Sequence, residues 1–137
     1  MGAHTRSIVL DTNVLVSAVL FGGRPGRLLD IVRSGAVGGA TSLHILGEFR
    51  EVLTRPRFGI ERGLAESLAV ESAGFMRVVP VDVEGKEWTA DPGDDPVIET
   101  ALAGGAGVVV TGDRHLLRSS VPGLRMLTVA QMLHELE

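Results

Sequence analysis

Ser7-Ile-Val-Leu-Asp11 is the stretch of sequence that best indicates the fold, because a short apolar run ends there in a single acid. Val108-Val-Val-Thr-Gly-Asp113 repeats the pattern near the other end of the chain. Short, continuous apolar runs are typical of buried strands in parallel sheets. Sites in open α/β sheets lie at the carboxyl ends of such strands. We therefore expect two buried parallel strands that each end in a carboxylate.

Strand and helix patterns alternate along the rest of the chain. Further strands are predicted over residues 36–41, 78–83 and 125–127. Helices are predicted over residues 14–22, 25–35, 42–54, 61–75 and 95–104, as a short turn near residue 116, and from residue 128 onward. Such alternation is typical of a mainly parallel sheet with helices on both faces and right-handed crossovers. The predicted fold is therefore α/β, a three-layer α/β/α sandwich formed by one domain over residues 1–137.

The composition suits a globular protein of one domain, with 137 residues of which 45% are apolar. The longest apolar run is far shorter than the ~20 residues that a transmembrane helix needs. Residues 1–6 lead directly into the first strand without an apolar signal region. Cysteine is absent, which agrees weakly with a reducing compartment. We expect a cytoplasmic protein without a membrane anchor.

The charge distribution leaves two interpretations open. A net charge of −4 argues against a generally basic, nucleic-acid-binding surface. Lys86 is the only lysine among thirteen basic residues, and Arg50, Arg55, Arg57 and Arg62 lie close together in sequence. Arginine suits bidentate contacts to phosphate, although the same bias can reflect the base composition of a genome.

Four acids stand where a strand meets a loop, where a helix begins or beside a buried helix stripe: Asp11, Glu48, Asp95 and Asp113. Two carboxylates about 4 Å apart repel by roughly 4 kcal/mol at an effective dielectric constant of about 20, so a shared site would need a cation or raised pKa values. Ligands that are all oxygen favour Mg²⁺ or Mn²⁺. Zinc is not expected, because cysteine is absent and the four histidines are dispersed.

Each acid also has a purely structural interpretation. Asp11 and Asp113 can cap the helices that follow them, Asp95 can cap the helix that begins at Pro96, and Glu48 can be a surface residue that borders the apolar stripe of its helix. Capping leaves one carboxylate oxygen for a metal, so the two roles are compatible.

Four further residues are candidates of lower rank. Asp94 competes with Asp95, and Glu99 follows Asp95 by one helical turn and could reach the same ion. Asn13 could cap the first helix in place of Asp11. Thr111 could orient a carboxylate or a water molecule through its hydroxyl. The isolated histidines His44, His115 and His134 are expected to be structural or solvated.

Taken together, these motifs resemble the PIN domain family of metal-dependent ribonucleases, and within it the VapC-like toxins of prokaryotic toxin–antitoxin systems. The resemblance covers nearly the whole chain. Its parts are Val9-Leu-Asp-Thr-Asn-Val-Leu-Val-Ser17, Ile45-Leu-Gly-Glu-Phe-Arg-Glu-Val-Leu-Thr-Arg-Pro56, Asp91-Pro-Gly-Asp-Asp-Pro-Val-Ile-Glu-Thr-Ala101 and Val109-Val-Thr-Gly-Asp-Arg-His-Leu-Leu117. Each part alone is a weak signal, whereas their order and spacing together are specific.

The resemblance implies that Asp11, Glu48, Asp95 and Asp113 are the family's four catalytic acids and bind one or two Mg²⁺ or Mn²⁺ ions. Glu48 would be either a further ligand or the acceptor of a proton from water. The implied reaction is hydrolysis of RNA to leave a 5′-phosphate and a 3′-hydroxyl. An antitoxin partner and a homodimer are also implied. Pro96 departs from the family pattern, since related sequences often have Asn after the paired aspartates.

Three alternatives remain open at the level of sequence. A phosphatase of the haloacid dehalogenase type needs an acid two residues after its nucleophile, but Asn13 stands at that distance from Asp11. A phosphoacceptor receiver domain needs a lysine on a late strand, but Lys86 precedes Asp95. The third alternative is a PIN-like module that binds nucleic acid or a partner without cutting it.

Overall fold

A computed structural model describes residues 7–81 and 95–137 of the chain. The described residues form a five-stranded sheet in which every neighbouring pair of strands is parallel. Its strands are β1 (Ser7–Leu10), β2 (Gly38–Thr41), β3 (Arg77–Val78), β4 (Val108–Val110) and β5 (Arg125–Leu127). The third strand is shorter than the predicted 78–83, because β3 ends at Val78; residues 82–83 and the Asp91–Asp94 loop fall outside the described residues.

The spatial order of the strands is β3-β2-β1-β4-β5. The chain therefore moves outward from β1 through β2 to β3, and then returns to the other side of β1 to form β4 and β5. The order in which strands are added to the sheet reverses direction between β1 and β4. In open α/β sheets, sites usually lie at the carboxyl ends of the two strands where this reversal occurs. Here those strands are β1 and β4, which end in the two motifs that contain Asp11 and Asp113.

Seven helices connect and follow the strands in the described residues. They are α1 (Thr12–Phe21), α2 (Gly23–Arg33), α3 (Leu43–Leu53), α4 (Arg62–Phe75), α5 (Asp95–Ala103), α6 (Arg114–Arg118) and α7 (Val129–Leu136). None of them is long and apolar enough to cross a membrane.

Two glycines show that helices cover both faces of the sheet. A Cβ atom on Gly39 of β2 would lie 2.7 Å from Val32 of α2, whereas a Cβ atom on Gly104, at the end of α5, would lie 3.1 Å from Ala40 of β2. Gly39 and Ala40 are successive strand residues and so point to opposite faces. The predicted three-layer α/β/α fold is confirmed. Gly39 has no side chain at the point where α2 packs closely against β2.

The buried apolar residues form a contiguous core around the central strands. Ile8, Val9, Val109 and Val110 are each at most 1% exposed. Strands buried on both faces carry such continuous apolar runs. The core therefore holds β1 and β4 rigidly at the point where their carboxyl ends meet.

Several boundaries differ slightly from those predicted. Helix α1 begins at Thr12 rather than near Val14, because Asp11 itself accepts the first capping hydrogen bond. Helix α2 begins at Gly23, before Pro25, and the first residue of α5 is Asp95 rather than Pro96. Differences of one or two residues are common at helix ends, where the hydrogen bonding is incomplete.

Candidate active site at the carboxyl edge of the sheet

Asp11 lies at the centre of the carboxyl edge and is 8% exposed. Its backbone N–H donates to the Val110 carbonyl at 3.0 Å, which joins the end of β1 to β4. Its two carboxylate oxygens have different partners. Oδ1 accepts from the Thr12 N–H at 2.7 Å and caps α1, while Oδ2 accepts from the Thr111 hydroxyl at 2.7 Å. The capping role predicted for Asp11 is therefore present.

The surroundings of Asp11 disfavour its charged form. Burial raises the pKa of the Asp11 carboxyl above its ordinary value, although the hydrogen bonds from Thr111 and Thr12 act in the opposite direction. The negative charges of Glu48 and Asp113 raise this pKa further. Glu48 and Asp113 therefore lie close enough to Asp11 to act on its carboxylate.

Glu48 approaches Asp11 through Thr12. The Thr12 hydroxyl donates to Glu48 Oε1 at 2.7 Å, and this bond joins the first turn of α1 to the middle of α3. Thr12 is only 3% exposed, whereas Glu48 is exposed to solvent. Sequence reasoning did not single out Thr12. The available signal was a hydroxyl directly after the acid that ends a central strand.

Asp113 caps α6, as the sequence predicted. Its Oδ1 atom accepts from the backbone N–H groups of His115 and Leu116 at 2.7 and 3.4 Å. The Asp113 N–H in turn donates to the Thr111 hydroxyl at 2.9 Å. Thr111 is fully buried. Its hydroxyl connects two of the acids, because it accepts from the Asp113 backbone N–H and donates to the Asp11 carboxylate.

Helix α5 begins at the same edge of the sheet. The Thr100 hydroxyl of this helix lies 3.0 Å from the hydroxyl of Ser42, the residue directly after β2. The loop that follows α5 returns to the amino edge of the sheet, where the Gly107 N–H donates to the Ser7 carbonyl. The helix therefore runs antiparallel to the strands and begins at the carboxyl edge. Asp95 is its first residue, but the Asp95 side chain and all of Asp94 lie outside the described residues.

The other two lower-ranked candidates are placed as follows. Glu99 lies one turn after Asp95 and is partly buried. Asn13 is exposed, and the cap that it could have provided for α1 is provided by Asp11.

The chemistry of this edge fits a hard divalent cation, because its functional groups are carboxylates and hydroxyls. Within residues 7–81 and 95–137, however, no three acidic, histidine or cysteine side chains form a group that could already hold a metal ion. The Asp95 carboxylate, which is the expected third ligand, is not among the side chains described.

Comparisons with known proteins agree with this architecture. The profile of the PIN domain matches residues 7–115. No curated protein matches the sequence significantly. A chain from the crystal structure of VapBC2 of Rickettsia felis, bound to a DNA fragment from its promoter, is similar in fold with a TM-score of 0.64 and 16% identity, over 89% of this chain and 98% of that one.

A second similar structure is FitAcB from Neisseria gonorrhoeae, with a TM-score of 0.55 and 19% identity over 90% of this chain and 98% of that one. At such low identity, both structures establish the likeness of the fold alone. The family assignment rests on the profile, which spans β1 to α6 and includes Asp11, Glu48, Asp95 and Asp113. PIN domains are in general nucleases that use divalent metals. The chain belongs to the PIN domain family.

Proposed function

We propose that this chain is a metal-dependent endoribonuclease that hydrolyses RNA phosphodiester bonds with Mg²⁺ or Mn²⁺ bound by Asp11, Asp95, Asp113 and Glu48. The observation that carries the proposal is the buried Asp11 carboxylate, close to the charges of Glu48 and Asp113. Among the described residues, five arginines form ion pairs with acids elsewhere, and none pairs with these three. Uncompensated negative charge of this kind is stabilised by a cation.

The chemistry follows from the positions of the residues. A bound divalent cation supplies a Lewis acid that neutralises the scissile phosphate and promotes deprotonation of water. Thr111 and Thr12 hold the Asp11 carboxylate in one orientation, which reduces the reorganisation needed when the ion binds. Glu48 is exposed and held through one oxygen by Thr12, so it is suited to bind the ion or to accept a proton from water.

The biological role that we propose is that of the toxin in a toxin–antitoxin pair. Membership of the PIN domain family and the fold shared with chains of VapBC2 and FitAcB support this role. The proposal includes a cognate antitoxin that places a basic side chain at the acidic edge, a homodimer, and a cytoplasmic location. Cleavage is expected to leave a 5′-phosphate and a 3′-hydroxyl.

A second candidate is a noncatalytic PIN-like module that binds nucleic acid or a protein partner. The observation that favours it is the lack, within the described residues, of a complete three-ligand group. The two candidates differ in whether the site binds a divalent cation.

The test is cleavage of a mixed pool of structured and single-stranded RNA with Mg²⁺ or Mn²⁺. We expect cleavage that EDTA abolishes and that is lost in an Asp11→Asn, Asp95→Asn double variant. Asp30→Asn is the matched control, because Asp30 is an exposed acid paired with Arg33 on α2 and should not affect cleavage. Metal binding without RNA cleavage would indicate another phosphate substrate. Absence of both would support the noncatalytic module.

A further inference from the structure

Two buried hydroxyl groups form a hydrogen bond that joins α5 to the start of α3. Thr100 and Ser42 are 0% and 1% exposed, and their hydroxyl oxygens lie 3.0 Å apart. Thr100 Oγ1 also lies 2.7 Å from the Pro96 carbonyl oxygen, and Ser42 Oγ accepts from the Ile45 N–H at 3.3 Å. The contact between Thr100 and Ser42 spans 58 positions of sequence.

The groups at the two ends of this series of hydrogen bonds, the Pro96 carbonyl and the Ile45 N–H, determine the direction of each bond. The Pro96 carbonyl can only accept, so the single proton of the Thr100 hydroxyl is donated to it. The Ser42 hydroxyl must then donate to Thr100 while it accepts from Ile45. Both buried hydroxyls are satisfied in one arrangement only, which fixes the first turn of α5 relative to the first turn of α3.

A comparison with the Ser72 hydroxyl separates the bond between Thr100 and Ser42 from the hydrogen bond that Thr100 makes within its own helix. The Ser72 hydroxyl of α4 is also buried, at 2% exposure, and donates to the carbonyl four residues earlier, that of Leu68, at 3.0 Å. Thr100 makes the equivalent bond to Pro96 but has the additional bond to Ser42 on a different element. The hydroxyl of Thr100 therefore has a role between elements that the hydroxyl of Ser72 lacks.

The two elements joined by Thr100 carry proposed site residues. Asp95 directly precedes Pro96, and Glu48 lies on α3 six positions after Ser42. We propose that Thr100 is a positioning residue: its hydrogen bond to Ser42 sets the first turn of α5, and with it Asp95, at a fixed separation from Glu48 and Asp11. This inference rests on the proposed metal-dependent function and assigns to Thr100 a role in the affinity for the ion.

The test compares the removal of two buried hydroxyls, one that links two elements and one that bonds within its own helix. Thr100→Val deletes the hydroxyl at nearly constant volume, Ser72→Ala is the matched control, and Thr100→Ser should restore the link. Mn²⁺ affinity is measured by calorimetry, and kcat and KM for RNA are measured separately. We expect Thr100→Val to weaken Mn²⁺ binding by about tenfold, the lower end of the range for residues that support metal ligands, and to lower kcat more than it raises KM. Thr100→Ser should return both values towards those of the wild type, and Ser72→Ala should leave them unchanged.

Four outcomes would overturn the inference. Equal Mn²⁺ affinity in Thr100→Val and the wild type would remove the role of Thr100 while leaving the nuclease proposal intact. Failure of Thr100→Ser to restore affinity would show that packing, rather than the hydroxyl, matters. Failure of the wild type to bind Mn²⁺ would overturn the proposed function and this inference together. If Thr100→Val does not fold, Ser42→Ala breaks the same bond from α3 and must weaken Mn²⁺ binding similarly; unchanged affinity there also overturns the inference.

Discussion

At the scale of single residues, Asp11 combines a structural and a proposed chemical role. One oxygen caps α1 and the other accepts from Thr111, so the carboxylate is fixed on both sides. The capping role was foreseeable from an acid that follows a strand and precedes a helix. The sequence also indicated that the Thr111 hydroxyl could orient a carboxylate, but it did not identify Asp11, 100 positions away, as that carboxylate, because sequence pattern does not determine which strands are neighbours.

The raised pKa of Asp11 predicts how the stability of the metal-free protein depends on pH. Because the pKa in the folded state lies above that in the unfolded state, the folded protein binds the proton more tightly. The resulting stabilisation is complete below the unfolded pKa, about 3.9, and is lost as the pH rises through the folded pKa. Asp11→Asn lacks this contribution, so its stability relative to the wild type should increase from pH 4 to pH 7.

Urea unfolding in EDTA at several pH values measures this difference, with Asp30→Asn as the control for removal of an exposed acid. A constant difference between Asp11→Asn and the wild type across the pH range would contradict the raised pKa.

Thr111 should affect both stability and metal binding. Thr111→Val removes a hydrogen bond that lowers the pKa of Asp11 and leaves the Asp113 N–H without its acceptor. We expect a loss of about 1–3 kcal/mol in the free energy of unfolding and a roughly 10- to 100-fold weaker affinity for Mn²⁺. Urea unfolding and calorimetry measure the two effects.

Thr54→Val provides the comparison for Thr111→Val, because Thr54, the residue directly after α3, is exposed and its hydroxyl donates to the Glu51 carbonyl of that helix. Its effect on stability should stay within about 0.5 kcal/mol. Similar Mn²⁺ affinities in the two variants would exclude a specific role for Thr111.

At the scale of elements, the sequence predicted best those helices whose ends carry local signals. Ser42 caps α3 by accepting from Ile45, and Thr128 forms a capping box with Gln131 at the start of α7. These signals involve residues within one turn of each other, so they are visible in sequence. The Gly39 contact with α2 and the link between Thr100 and Ser42 depend on tertiary packing and were not predictable.

Helix α6 is the element that we expect to bind the RNA backbone. Arg114 and Arg118 are exposed one turn apart, directly after Asp113. Within the described part of the chain neither forms an ion pair, in contrast to arginines such as Arg33. Replacing both by Gln should raise KM for RNA with little change in kcat. The slope of log affinity against log salt concentration should fall by about 1.4, the value for two contacts to single-stranded phosphate.

Fluorescence anisotropy with a single-stranded RNA over a range of salt concentrations measures this slope. Arg33→Gln is the matched control, since Arg33 is already paired with Asp30 and lies over the Phe75 ring. An equal change in slope in the control would mean that RNA contacts arginines without regard to their position.

At the scale of the whole molecule, the strand order explains why distant motifs form one site. The order β3-β2-β1-β4-β5 makes β1 and β4 neighbours, so Asp11 and Asp113 meet although 102 positions separate them in sequence (113 − 11). The alternation of strands and helices predicted the layers but not this order. That the four acids belong to one site was implied by the family resemblance, which does not depend on knowing the order of the strands.

The charge of this edge predicts that a divalent cation stabilises the entire fold. An ion that binds only the folded state at 100 times its dissociation constant adds about 2.7 kcal/mol to the free energy of unfolding, which raises the midpoint of thermal unfolding by roughly 10 °C in a protein of this size. The wild type and Asp30→Asn should both show this shift with Mg²⁺ relative to EDTA. Asp11→Asn should show little of it, because it lacks the buried carboxylate at the centre of the site. A shift of equal size in all three proteins would indicate nonspecific screening of the net charge of −4 instead of binding at this edge.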